Sequence, residues 1–179
     1  MKKIIFITGG ARSGKSTFAE QLASQKGEEV LYLATAVASD EEMRERIARH
    51  RAQRPSSWQT IEAYEKLADM LEKASQRVVL IDCLTVMINN LLYPKWHDKM
   101  NYQEQQQLEF QITQEIQDLL DADFKGTLII VSNELGMGLV PSSALGRYFR
   151  DLAGRINQQV ADRANEVYLL VSGIPVQIK

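Results

Sequence analysis

The stretch Ile4-Ile5-Phe6-Ile7-Thr8-Gly9-Gly10-Ala11-Arg12-Ser13-Gly14-Lys15-Ser16 decides the fold. Its first four residues are an unbroken β-branched and aromatic run, the pattern of a strand buried on both faces. Gly9, Gly10, Ala11, Arg12, Ser13, Gly14, Lys15 and Ser16 then satisfy G-x-x-x-x-G-K-[ST] at every fixed position. Glycines let backbone N–H groups close around phosphate oxygens, and a helix that follows aims its positive end at them. In such a loop the lysine reaches the β- and γ-phosphates and the serine hydroxyl holds Mg²⁺, which assigns those roles to Lys15 and Ser16. A chance glycine turn would not need a strand before it and a helix after it, and both are predicted here.

Outward from the loop, strands and helices alternate. The spacing predicts a helix from Lys15 to about Ser24, then a strand over Val30–Ala34. Ser39 and Glu42 have capping-box spacing and open a helix that runs to about Gln53, before Pro55. A helix over about Tyr64–Ser75 carries Leu67, Met70, Leu71 and Ala74 on one face, and Val78–Ile81 forms a third buried strand. Leu84–Leu92 reads as a helix, residues 94–101 as a surface loop, and Tyr102–Leu120 as an amphipathic helix with Leu108, Ile112, Ile116 and Leu119 inward. Leu128–Val131, a long helix over Ser142–Ala164, and Val167–Val171 follow. Gly173 permits a turn, and Val176–Ile178 returns as a hairpin edge strand. The alternation argues for an α/β fold of P-loop NTPase type, a mostly parallel central sheet flanked by helices. No linker interrupts it, so residues 1–179 are expected to form one domain. Gly154 falls inside the long helix, where close helix packing or a subunit contact would account for it.

Composition narrows the function classes. A net charge of −2 gives no basic field for nucleic acid or an anionic membrane. One cysteine, Cys83, excludes a disulfide framework and a cysteine-based zinc site, and two histidines make a multi-histidine metal site improbable. No apolar run approaches the roughly 20 residues of a membrane span. Met1-Lys2-Lys3 followed by four apolar residues imitates a signal peptide but runs straight into the glycine loop, so it is read as strand. These features point to the cytoplasm.

Val78-Val79-Leu80-Ile81-Asp82 supplies the loop's natural complement, an apolar strand ending in an acid. Asp82 then sits where it can hold Mg²⁺ directly or through water; the alternative is an acid that caps the next helix. Ligands in such sheets gather at the carboxyl ends of strands, an edge shared by Ala34-Thr35-Ala36 and Ser132-Asn133-Glu134. Arg44, Arg46, Arg49, His50, Arg51 and Arg54 crowd cations into eleven residues. Phosphate contact is one reason to concentrate arginine, and a solvated helix face balanced by Asp40, Glu41, Glu42 and Glu45 is the other. A histidine inside a phosphate-facing arginine set can act as a nucleophile while neutral. His97, beside Trp96 and Asp98, reads as an ordinary surface histidine.

Taken together, the chain resembles the bifunctional adenosylcobinamide kinase / adenosylcobinamide-phosphate guanylyltransferase family of cobalamin biosynthesis, along essentially its whole length. The resemblance rests on Thr8 to Ser16, Leu31-Tyr32-Leu33-Ala34-Thr35, Glu41-Glu42-Met43 with Arg46-Ile47, His50, Arg54-Pro55, Trp58, Glu62 and Asp82-Cys83-Leu84-Thr85. Asn90-Leu91-Leu92, Ser132-Asn133-Glu134, Gly136-Met137-Gly138, Val140-Pro141, Phe149-Arg150-Asp151, Gly154-Arg155-Ile156-Asn157-Gln158 and Val171-Ser172-Gly173 continue it. It implies two reactions: a nucleoside triphosphate (ATP or GTP) phosphorylates the aminopropanol hydroxyl of adenosylcobinamide, and GMP from GTP then moves onto that phosphate through a guanylylated histidine. His50 matches that histidine, and Arg49 stands where some relatives have a second one. The family's nucleotide contacts fall on Gly9 to Ser16, on Ala34, Thr35 and Ala36, on Arg51, Ala52, Gln53 and Arg54, and on Glu62; Asp82 takes the position of the acid after the third strand. The partners implied are a corrinoid and nucleoside triphosphates, and family members are homotrimers. Two other readings stand beside it: a small-molecule kinase with no covalent step, and a GTP-dependent regulatory switch.

Overall fold

Four apolar runs build the centre of the sheet. In the computed structural model, which describes residues 1–36, 41, 45, 51 and 54–179, they are strands β1 (Lys3–Gly9), β2 (Val30–Ala34), β4 (Val78–Asp82) and β5 (Thr127–Val131). β3 (Gln59–Glu62), β6 (Glu166–Val171) and β7 (Ile174–Gln177) complete one seven-stranded sheet in the order β3-β2-β4-β5-β1-β6-β7. Every pairing is parallel except β6 with β7. Alternate residues of the central strands face opposite layers. Ile4, Phe6, Leu33, Ile81 and Ile130 pack under α2 (Leu67–Glu72), α3 (Leu84–Leu92), α4 (Tyr102–Asp121) and α5 (Ala144–Arg163). Ile5, Ile7, Leu80 and Ile129 face α1 (Lys15–Lys26) through Ala19 and Ala23. No described helix is long and apolar enough to cross a membrane.

The parallel α/β architecture is the expected one, and the differences are local. β3 was not predicted: Gln-Thr-Ile-Glu is polar, half exposed and short, and only pairing with β2 at the sheet edge makes it a strand. α2 is six residues long and not twelve, because Lys66 adopts φ 55° just before it and its N–H is held by Glu115 of α4. α4 begins on a capping box, with Asn101 and Glu104 each accepting the other's backbone N–H. Ser39 and Glu42, the capping box expected upstream, lie outside the described residues. The hairpin turn uses Ser172 at φ 51° and Gly173 at φ 84°, the two left-handed positions that a two-residue turn requires. β7 therefore starts at Ile174, two residues before the expected edge strand, and Pro175 is tolerated because the strand is an edge. Gly154 is not explained by packing among the described residues, since a Cβ there would meet none of them within 4 Å.

Candidate active site

Register sets the geometry of the carboxyl edge. Ala34 pairs with Glu62 on one side and Asp82 on the other, and Asp82 pairs with Val131. Val131 in turn pairs with Ile7 of β1, the strand that feeds the glycine loop. One strand, β5, thus lies between the loop strand and the strand that ends in Asp82.

The loop itself is shaped by close approaches. Gly9 has φ 151°, and a Cβ there would come within 2.5 Å of the Leu170 carbonyl oxygen. Gly14, at φ 91°, caps α1, and a Cβ on it would press on Gly173 at 3.2 Å. The β6–β7 turn buttresses the loop, because the Gly173 N–H donates to the Ser13 carbonyl at 2.9 Å. Lys15 is buried and its ammonium donates to the Gly10 carbonyl at 2.6 Å. Burial pulls its pKa below the usual lysine range.

Across the edge, Asp82 accepts a hydrogen bond from the Tyr32 hydroxyl at 2.7 Å. Burial first and the Asp82 charge second push the Tyr32 phenol far up, so it is a permanent donor there. The guanidinium of Arg54 lies over the Tyr32 ring at 3.3 Å, meets Glu20 of α1 at 3.4 Å and donates to Thr60 of β3 at 3.3 Å. Thr35 is fully buried: its hydroxyl donates to the Cys83 carbonyl at 2.7 Å and accepts from the Cys83 N–H at 2.8 Å. The Asp82–Cys83 peptide is cis.

One cleft of about 1060 Å³ collects these groups. Arg12, Ser13, Gly14, Lys15, Ser16, Ala34, Ala36, Arg54 and Asp82 all line it, so the structure brings the glycine loop, the β2 edge and the acid that ends β4 together. Glu62 is level with Ala34 but exposed and off the cleft lining. Arg51 is exposed and helical, and His50, Ala52 and Gln53 lie outside the described residues. His97 is exposed, as expected. The rest of the lining includes Val86, Asn89, Asn90, Tyr93 and Pro94 from α3 and the residues after it, and Tyr64 between β3 and α2. Val86, Asn89, Asn90 and Tyr93 recur at helical spacing on the side of α3 away from the buried Leu84, Met87, Ile88 and Leu91. The sequence held this signal as a polar stripe on an otherwise apolar helix.

The family model for cobinamide kinase / cobinamide phosphate guanyltransferase matches residues 5–178. Over 184 residues the chain is 46% identical to the bifunctional adenosylcobalamin biosynthesis protein CobU of Escherichia coli (strain K12), covering 98% of this chain and 99% of that protein. The protein of the same name from Salmonella typhimurium (strain LT2) is 42% identical over 98% of this chain and 99% of its own length. The bifunctional adenosylcobalamin biosynthesis protein CobP of Pseudomonas aeruginosa PAO1 is 41% identical over 97% and 95%. Likeness at this level, running from β1 through the terminal hairpin, settles the relationship: the chain belongs to the cobinamide kinase / cobinamide phosphate guanyltransferase family.

Proposed function

We propose that this single domain, residues 1–179, phosphorylates adenosylcobinamide with ATP or GTP and then transfers GMP from GTP to the phosphate formed, through His50. The observation that carries the reading is the make-up of the cleft: Lys15, Ser16 and Asp82 share its lining with uncharged tyrosines and asparagines. The Lys15 ammonium and the loop N–H groups suit a triphosphate. An uncharged lining of flat rings and amides suits a large acceptor without a charge of its own at the reacting end, as an amide-rimmed corrinoid alcohol is.

In the kinase step Lys15 and the loop N–H groups bind and orient the β- and γ-phosphates. The acceptor oxygen bonds to the γ-phosphorus, the bond to the bridging oxygen breaks, and the diphosphate leaves. Ser16 and Asp82 offer hard oxygen donors in the same cleft, which fits Mg²⁺. With its Tyr32 bond satisfied, the Asp82 carboxylate keeps further lone pairs for an ion. Among the described residues no group of three or more His, Cys, Asp or Glu gathers, so phosphate oxygens and water would supply the rest of the shell. Bound there, Mg²⁺ would offset charge on the phosphates.

In the second step a neutral His50 nitrogen attacks the α-phosphorus of GTP and pyrophosphate leaves. The corrinoid phosphate then displaces His50, giving adenosylcobinamide-GDP. Holding GMP covalently lets the enzyme wait for the phosphorylated corrinoid. We also read the protein as a cytoplasmic homotrimer, which sedimentation checks.

The test is covalent labelling. With Mg²⁺ and GTP labelled at the α-phosphate, the protein should retain acid-labile, alkali-stable label and release pyrophosphate. His50→Ala should lose the label and the guanylyl transfer while retaining part of the kinase turnover. Label that persists in His50→Ala would overturn the histidine step, and absence of any label in the parent would leave a simple kinase.

A further inference from the structure

The tip of β5 lies between the two halves of the phosphate site, and it is held with unusual thoroughness. Ser132 donates its N–H to the Ile7 carbonyl, and Glu134 donates its own to the Gly9 carbonyl, both at 2.9 Å. Asn133 therefore runs alongside the entrance to the glycine loop. From the other side, the Asn133 N–H donates to the Thr85 hydroxyl at 2.6 Å, and its carbonyl accepts from the Asn157 amide at 3.0 Å. The holders are themselves tied together. The Ser132 hydroxyl donates to the Asn157 side-chain Oδ1 at 2.7 Å, and the Thr85 and Ser132 hydroxyls meet at 3.1 Å. Since Ser132 gives its proton to Asn157, Thr85 is the donor in that pair. Thr85 and Ser132 are buried, so a network of this kind fixes its members strongly.

All of this polar scaffolding fixes a main chain. The Asn133 carboxamide itself makes no hydrogen bond among the described residues, and Asn133 lines the cleft with Lys15 and Asp82. An asparagine kept for structure would spend its amide on backbone. This one has its backbone satisfied by others and its amide left over, half-buried, just past the end of the strand between the loop and the acid.

We infer that Asn133 is a catalytic residue of the phosphoryl transfer, its Nδ2 donating a hydrogen bond to a γ-phosphoryl oxygen. The inference rests on the phosphate-loop reading above. The carboxamide neither gains nor loses a proton. The acceptor oxygen–phosphorus bond forms, the bridging bond breaks with its electron pair going to the nucleoside diphosphate, and the hydroxyl proton passes to water. A neutral donor suits this position, because a carboxylate would repel the phosphates and a cation would retain the charged product. Rigid placement matters because such a donor is effective only when held where charge develops.

The experiment uses the full chain with Mg²⁺ and compares Asn133→Ala and the isosteric Asn133→Asp with the parent. Kinase turnover on cobinamide should fall about 100-fold in Asn133→Ala, the usual loss for one preorganised donor, and further in Asn133→Asp. The Kd for a non-hydrolysable triphosphate should stay within threefold of the parent in Asn133→Ala. Covalent GMP labelling, which breaks the bond at the α-phosphate, should fall less than tenfold. Turnover within threefold of the parent in Asn133→Ala overturns the inference, as does a parallel fall in turnover, labelling and nucleotide binding, which would mark a structural role. Release of γ-phosphate to water without any corrinoid reports on Asn133 whatever the acceptor. A parent inert toward cobinamide, with hydrolysis that still falls in Asn133→Ala, would therefore refute the acceptor assignment and uphold the inference.

Discussion

Thr35→Val replaces a hydroxyl by a methyl of nearly the same shape in a fully buried position. The cost follows from what that hydroxyl does. It is the acceptor for the Cys83 N–H at 2.8 Å and a donor to the Cys83 carbonyl at 2.7 Å. The carbonyl keeps other partners, since the N–H groups of Val86 and Met87 both reach it at 3.1 Å. The Cys83 N–H would be stranded, at about 1–3 kcal/mol, and one ordinary bond lost, at about 1 kcal/mol. We expect a destabilisation of about 2–4 kcal/mol, which in a chain of this size lowers Tm by roughly 5–15 °C. Thr35→Ser keeps the hydroxyl and removes one methyl, so it should cost only about 1 kcal/mol. Thermal and urea unfolding without nucleotide or Mg²⁺ gives the comparison free of ligand stabilisation. If Thr35→Val melted within 1 °C of the parent, or Thr35→Ser fell as far, the hydroxyl would not be the pin between β2 and the start of α3.

Three further outcomes are expected. Arg54→Ala should lose about 2–3 kcal/mol, because it removes a desolvated cation over an aromatic ring together with two polar contacts; an unchanged Tm would show that the clamp of α1 to β2 and β3 contributes nothing. Burial and then the Asp82 charge push the Cys83 thiol up to about 11 from 9.0, so at pH 8 it should alkylate about a hundredfold more slowly than in the urea-unfolded chain. Because the folded thiol binds its proton more tightly, its contribution to stability is constant below about pH 9 and falls as the pH rises from 9 through 11; equal alkylation rates folded and unfolded would contradict both statements. Gly154→Ala should raise Tm by roughly 2–4 °C, since helix propensity favours alanine by about 1 kcal/mol and a Cβ there meets open space; a lowered Tm would place another copy of the chain against that helix.

The central strands and the glycine loop were legible because local pattern suffices for them. A four-residue apolar run such as Val78–Ile81 has few places to go but a buried parallel strand, and Gly9 and Gly14 are required by backbone approaches that other residues cannot make. β3 was illegible because Gln59–Glu62 has no strand pattern of its own and is extended by its partner. The same limit applies to the site. Lys15, Ser16 and Asp82 announce themselves through motifs, whereas Thr85, Ser132 and Asn157 are ordinary polar residues far apart in the chain. They meet only because β5 is inserted between β1 and β4 and α5 packs behind it. Arg54 shows the converse. Its place in an arginine-rich segment suggested a phosphate contact; it lines the cleft, and nothing in the sequence signals that Tyr32, Glu20 and Thr60 would hold its guanidinium there.

The central claim is that one phosphate site serves both reactions, and Lys15→Ala tests it most directly. Among the described residues its ammonium reaches only its own loop, at the Gly10 carbonyl and the Ser13 hydroxyl, so the fold should survive and circular dichroism should be unchanged. A single folded preparation would be assayed for transfer of γ-label to cobinamide and for transfer of α-labelled GMP to cobinamide phosphate. Both should fall by at least about a thousandfold, the scale of a lost phosphate-clamp charge. If guanylyl transfer persisted while kinase turnover vanished, the two activities would occupy separate sites and the single-cleft account would be wrong.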